Sequence, residues 1–207
     1  FKKDLLKPRP LLGKEQLKWV KDKVDMKYIW SIFGQQLLIG PKYLPKIFKN
    51  EEISNDSSYY TSELAGEELP FNTDQWDGYP REREEFYKTI SNSQSNLILA
   101  GDSHNSWFSN LYDKNNEFVG IEIGAPAISS PSFGDTFKDK TRIIEDEFIK
   151  DNKDLLWVNG RNQGYVSLNI TELDVEVQFK YVSTVKSLDY EGLEPDVFRV
   201  EHNKPYS

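Results

Sequence analysis

Residues 96–107 read Asn96-Leu97-Ile98-Leu99-Ala100-Gly101-Asp102-Ser103-His104-Asn105-Ser106-Trp107. The unbroken apolar run Leu97 to Ala100 suits a strand buried on both faces, the habit of a parallel sheet in an α/β protein. Gly101 lets the backbone turn tightly at the strand's end, and the chain turns polar at once. The Asp102 carboxylate and the His104 imidazole leave that end two positions apart, so both can converge on one point. Hard carboxylate oxygen with imidazole nitrogen suits a hydrolytic metal such as Zn, Mn or Fe, and carboxylate with carbonyl oxygens also suits Ca. The same D-x-H pattern serves elsewhere as a hydrogen-bonded loop. Of the two histidines, the other is His202, close to the C-terminus.

Working outward, Leu12, Leu17, Trp19, Val20 and Val24 lie among lysines and acids at a spacing that predicts a short amphipathic helix from about Gly13 to Val24. Tyr28 to Ile39 is nearly continuous in apolar residues and predicts a buried strand that turns at Gly34, closed by Pro41 and Pro45. Residues 51–75 are polar and aperiodic and are expected to be a long loop or insertion. Pro80, followed by Glu82, Glu84 and Glu85, opens a helix to about Ser91. Phe118–Ile123 predicts a strand, Phe137–Phe148 a helix, and Tyr165–Asn169 an alternating strand with its hairpin partner over Val175–Val182, turning near Thr171-Glu172. Residues 188–207 are acidic and aperiodic, the pattern of a surface wrap or mobile end. Strands and helices alternate with no internal repeat and no Gly-rich dinucleotide fingerprint, which predicts an α/β layered domain.

The 207 residues carry 26 basic and 34 acidic side chains, a net charge of −8. That balance opposes binding to a nucleic-acid backbone or an anionic lipid surface. A mean hydropathy of −0.67, without an apolar run near membrane-helix length, points to a soluble chain with no membrane span. Cysteine is absent, which excludes disulfides, thiolate metal sites and cysteine nucleophiles and leaves oxygen and nitrogen as the only metal donors. The chain opens at Phe1 rather than Met, with no basic-then-apolar leader in view, which points to processing or truncation.

Other residues near the D-x-H stretch have plain readings beside functional ones. Trp76, Asp77 and Tyr79 suit a packed corner, with Asp77 capping the helix from Pro80. Arg83 can reach a phosphate, yet among Glu82, Glu84 and Glu85 an ion pair is the simpler expectation. Gln35 and Gln36 can line a pocket wall or cap a strand. Ser129 and Ser130 lack a base at readable spacing, which argues against a serine nucleophile.

The order of several motifs adds a resemblance. Trp76-Asp77-Gly78-Tyr79 with Arg83, followed by Gly101-Asp102-Ser103-His104 and Trp107, resembles the W-D-G-Y-x-x-x-R and G-D-x-H-x-x-W pair of the PhoD-type alkaline phosphatases, in the metallophosphatase (calcineurin-like) superfamily. Leu12-Gly13-Lys14-Glu15-Gln16 to Trp19 is similar to that family's L-G-x-E-Q-x-x-W helix, and Ser31–Gln36 to its following strand and Gln-bearing turn. Glu122 with Pro126, Ser130 and Pro131 resembles its E-x-x-x-P-x-x-x-S-P segment, and Gly164-Tyr165-Val166 its late G-Y-V strand.

The resemblance implies a four-layer α/β/β/α sandwich, of which residues 1–207 form the C-terminal half. It also implies hydrolysis of phosphate mono- or diesters with iron and calcium, or a related metal set that polarises the phosphoryl oxygen and acidifies a bound water. By motif position Asp102 is a metal ligand, and His104 a ligand or a proton-bearing contact to phosphate. Arg83, Trp76, Asp77, Gln36 and Asn105 are candidates for substrate contact or support. The N-terminal half, with the family's G-D-x-x-D-Y motif, has no counterpart here, and Asp22 and Asp25 do not replace its ligands. The missing half is therefore expected in the same or a separate chain, and a periplasmic or extracellular setting follows from the resemblance alone. The rival expectation is a non-catalytic half-domain or binding module that keeps the scaffold without a complete metal site.

Overall fold

A computed structural model describes residues 7–24, 27–54, 65–66, 69–91 and 95–207. Helix α1 (Lys14–Lys23) is followed by strand β1 (Trp30–Gly34), helix α2 (Pro80–Ile90), and strands β2 (Ser95–Ala100), β3 (Ser106–Tyr112) and β4 (Phe118–Gly124). Helices α3 (Phe133–Phe137) and α4 (Thr141–Asp151) then lead into strands β5 (Leu155–Asn159), β6 (Gly164–Ile170), β7 (Asp174–Tyr181) and β8 (Asp196–Glu201). β1 to β5 form a five-stranded sheet in the order β1-β2-β4-β3-β5, and β6-β7-β8 form an antiparallel three-stranded sheet. β1, β2 and β4 run parallel, with Ile32 opposite Leu97 and Leu97 opposite Ile121. β3 and β5 are antiparallel additions.

Both faces of the larger sheet are covered, which is why β2 needs its continuous apolar run. On one face, Ile98, Leu111 and Val119 pack against Phe86, Tyr87 and Ile90 of α2 and Val20 of α1. Further along that face, Ala100, Trp107 and Val158 meet Phe133, Phe137, Ile144 and Phe148 of α3 and α4. On the other face, Leu97, Phe108, Ile121 and Ile123 interleave with Val175, Val177, Phe179 and Val200 of the smaller sheet. The described residues thus stack as helices, sheet and sheet.

Several local features follow from side-chain chemistry. The backbone N–H groups of Leu11, Leu12 and the N-cap Gly13, leading into α1, all donate to the buried carboxylate of Glu82. Glu122, fully buried on β4, accepts from the Gly40 N–H at 3.0 Å and from the Lys42 Nζ at 2.8 Å, pinning the chain that leaves β1. Trp76–Gly78 forms a 3-10 turn in which a Cβ on residue 78 would collide with the Thr73 carbonyl oxygen, so the turn requires glycine.

Four expectations need correction. The strand expected over Tyr28–Ile39 is confined to Trp30–Gly34 and lies at the sheet edge, with Ile32 and Gly34 exposed. Asp77 does not cap α2, whose start has no side-chain cap. Its carboxylate is taken by Arg83 and the Lys42 N–H. The ion pair of Arg83 is accordingly with Asp77 at 3.0 Å and not with a glutamate of its own helix. The acidic tail is no loose end: β8 pairs with β7, with Val200 opposite Val175. Phe198 and Val200 face the core with half-buried Asp196 beside them, while Val197, Arg199 and Glu201 point outward, so charge on both sides masked the alternation. Of the 51–75 loop, Glu51–Ser54 form a helical turn and Tyr43 bridges Pro70. Residues 55–64 and 67–68, and Asp25, lie outside the described residues.

Candidate functional site

The parallel strands β1, β2 and β4 all end at the same edge of the larger sheet, where ligands of α/β folds characteristically bind. Gly101 N–H donates to the Gln36 carbonyl at 3.0 Å, and Ala125 N–H donates to the Ala100 carbonyl at 2.8 Å, so the segments following the three strands are drawn together. The loop 101–105 crosses above β4 from β2 to β3. Within it Asp102 and His104 both have left-handed backbone, φ 63° and 65°. Two such residues separated by one position carry a cost of roughly 1–2 kcal/mol each. Strain of this kind concentrates at functional sites.

Both side chains reach solvent, and each is held by one partner. Gln75 Nε2 donates to Asp102 Oδ2 at 3.2 Å, leaving Oδ1 with no protein donor among the described residues. His104 Nδ1 lies 2.9 Å from the Pro131 carbonyl oxygen. A carbonyl only accepts, so Nδ1 carries the proton and Nε2 is the free acceptor of the neutral ring, the arrangement that prepares an imidazole for a metal. The Ala127 N–H also donates to the His104 carbonyl at 3.2 Å, tying the loop to the segment after β4.

Asn105 is buried and spent on the loop itself: its Oδ1 accepts from the Phe133 N–H at 2.9 Å and its Nδ2 donates to the Ser103 carbonyl at 2.7 Å. Trp107 Nε1 donates to Ser103 Oγ at 2.7 Å, which explains the tryptophan three positions after the histidine. Trp76 is buried and donates through Nε1 to Gln35 Oε1 at 3.0 Å, holding the turn after β1 beside the loop. Gln36 is exposed there and contributes its carbonyl to Gly101.

Arg83 and Asp77 lie in a separate buried cluster, with Arg83 Nη1 also 3.5 Å from the Ile39 carbonyl. Burial pushes the Asp77 carboxyl up to about 6 against the lowering pull of Arg83 and Lys42. Burial acts to lower Arg83, but the Asp77 carboxylate together with Tyr87 and Tyr43 holds the guanidinium above its ordinary value. The pair is buried, and Arg83 Nη1 is engaged by Asp77 and the Ile39 carbonyl.

Gln75 is the residue that sequence reasoning passed over. It is 1% exposed, and its Oε1 has no hydrogen-bond partner among the described residues. No local pattern marks it, because its partner Asp102 is 27 positions away.

Among the described residues no three His, Cys, Asp or Glu side chains gather closely enough to hold a metal unaided. Asp102 Oδ1 and His104 Nε2, with their other atoms fixed by Gln75 and Pro131, fit the chemistry of two donors to an iron or a related divalent ion. Among the described residues no helix is long and apolar enough to cross a membrane.

Comparison with known proteins places this architecture. The chain is 28% identical over 170 residues to alkaline phosphatase D of Bacillus subtilis (strain 168), an alignment covering 79% of this chain and 25% of that protein. A solved structure of PhoD superposes with a TM-score of 0.67 at 22% identity, over 94% of this chain and 34% of the other. The chain therefore spans about a quarter to a third of the length of the relatives it matches. The PhoD-like phosphatase profile matches residues 2–179, and the chain belongs to that family.

Proposed function

We propose that this chain supplies part of the active site of a metal-dependent phosphoesterase, an alkaline phosphatase or phosphodiesterase of the PhoD type, as the C-terminal half of its four-layer sandwich. The observation that carries the reading is the loop 101–105, where two left-handed residues present a carboxylate oxygen and a tautomer-fixed imidazole nitrogen at the common end of three parallel strands. Iron and calcium, when bound, would supply positive charge to the phosphoryl oxygens and acidify a water for attack. Asp102 offers Oδ1 and His104 offers Nε2 as donors. Gln75 orients the carboxylate, and the Pro131 carbonyl keeps the proton on Nδ1. The remaining donors come from residues outside this chain, in the same polypeptide or a second one. The same reading carries a periplasmic or extracellular setting.

In the complete enzyme, Asp102→Asn and His104→Gln should each retain the folded circular dichroism spectrum. Each should lower turnover of p-nitrophenyl phosphate by at least a hundredfold, with loss of bound metal by elemental analysis. Near-normal turnover in either variant overturns the assignment. A complete enzyme that holds neither transition metal nor calcium and hydrolyses no phosphoester when supplied with them would favour the binding-module reading.

A further inference from the structure

Strand β5 delivers a second polar turn to the edge that carries the site. β3 and β5 are antiparallel with Ser106 opposite Asn159, so residues 160–163 leave the sheet at the same end as the loop 101–105. One short span joins the two turns. The Pro131 carbonyl meets the His104 ring, the Phe133 N–H donates to Asn105 Oδ1, and the Gly134 N–H donates to the Gly160 carbonyl at 2.6 Å. Pro131 and Gly134 are three positions apart, a reach of at most about 10 Å.

The turn after β5 is held at several points. Asn159 Oδ1 accepts from the Arg161 N–H at 2.9 Å, and Asn159 Nδ2 donates to Asn162 Oδ1 at 3.3 Å. A Cβ on residue 134 would stand 3.0 Å from the Arg161 Cα, so glycine there lets the turn rest against the start of α3. The Arg161 guanidinium is fixed through one nitrogen only: Glu145, 3% exposed on α4, accepts through a single oxygen from the Gly160 N–H at 2.7 Å and from Arg161 Nε at 3.0 Å. Among the described residues neither Nη of Arg161 donates a hydrogen bond, and the side chain is 41% exposed. Four of its five N–H groups are therefore open to a ligand. The neighbouring carboxylate, Asp135, is taken up by the Ser132 N–H, Gln163 Nε2 and Lys186. A guanidinium locked through Nε presents its two Nη groups as a flat fork, which takes two oxygens of one phosphate.

We propose that Arg161 binds a second phosphate of the substrate, a few bonds away from the ester phosphate that meets Asp102 and His104. The inference rests on the phosphoesterase reading and deepens it by naming a substrate class: esters that carry two phosphates, favoured over esters that carry one. The fork is already oriented by Glu145 and by the Asn159 turn, so little side-chain freedom is lost when an anion binds. Arg161 is remote from the reacting bond and holds substrate and transition state alike, so its contribution falls on KM and leaves kcat unchanged.

The test compares p-nitrophenyl thymidine 5′-phosphate with its 3′-phosphorylated form in the complete enzyme, since both release p-nitrophenol. The 3′-phosphate should lower KM at least tenfold in the parent. Arg161→Gln should abolish that difference while kcat on both compounds and the circular dichroism spectrum stay unchanged. Arg142→Gln, which removes an exposed cation from the first turn of α4, should preserve it. Calorimetric titration with thymidine 3′,5′-bisphosphate and thymidine 5′-phosphate reads the same preference without turnover. A parent indifferent to the second phosphate, equal weakening of both compounds by Arg161→Gln, or the same loss in Arg142→Gln overturns the proposal. An enzyme that hydrolyses neither compound, yet prefers the bisphosphate only while Arg161 is present, supports the anion site and defeats the phosphoesterase reading.

Discussion

The buried amide of Gln75 donates to the exposed carboxylate of Asp102 at 3.2 Å, while its carbonyl oxygen meets no partner among the described residues. A buried unsatisfied carbonyl costs roughly 1–3 kcal/mol, so Gln75 is held for what its nitrogen does. Gln75→Leu is expected to leave urea-unfolding stability within about 1 kcal/mol of the parent. Losing the group that orients a ligand should lower metal affinity and phosphoester turnover of the complete enzyme by about 10–100-fold. Unchanged metal titration in Gln75→Leu would remove the residue from the site.

Asp77 gives the chain a distinct pH response. Burial raises its carboxyl from 3.8 unfolded to about 6 folded. Between those values the folded state binds more protons than the unfolded state, so the Asp77 contribution to stability falls as pH rises through the window and is fully lost above about 6. The change is on the order of 2–3 kcal/mol. Asp77→Asn has no such titration, and its urea midpoints from pH 4 to pH 7 should decline less steeply than the parent's, even though the variant is the weaker protein at neutral pH. Parallel pH profiles would refute the assignment.

How much of this could be read in the sequence depended on whether the signal was local. The strand Leu97–Ala100 and the helices over Lys14–Lys23 and Pro80–Ile90 carry their own periodicity or punctuation. β3 does not, because Ser106, Ser109 and Asn110 interrupt it. These residues are nonetheless buried, with Ser106 accepting from the Tyr181 hydroxyl and Asn110 bonded to Tyr206. Tertiary partners override the polar pattern at Ser106 and Asn110, whereas Ser109 is buried with its hydroxyl unpartnered among the described residues. The same holds at the site: Asp102 and His104 stand in a local motif, whereas Gln75, the Pro131 carbonyl and the pairing of Arg83 with Asp77 exist only once distant segments meet.

The Lys42–Glu122 pair, 1% and 0% exposed with 2.8 Å between its charged atoms, supports the turn after β1. Removing one partner leaves a buried charge alone, which costs about 3–5 kcal/mol, whereas replacing both can be nearly neutral. Lys42→Met should therefore be strongly destabilising by urea unfolding. Adding Glu122→Gln should recover part of that loss, since a neutral amide no longer needs the ammonium. Additive losses in the double variant would contradict the coupling.

The left-handed backbone at His104 sets stability against activity at one position. A glycine there is free of the roughly 1–2 kcal/mol that a side chain costs at φ 65°, and gives back about 0.5–1 kcal/mol in unfolded-state entropy. The Ala127 N–H to His104 carbonyl bond is backbone and survives the change, while the lost imidazole contact to Pro131 is exposed to water. His104→Gly should accordingly melt no lower than the parent and up to about 1 kcal/mol more stably. The complete enzyme carrying it should lose phosphoester turnover. A stabilised but inactive variant marks the histidine as kept for chemistry against the preference of the fold; a clear drop in melting temperature would mean that the ring holds the loop together.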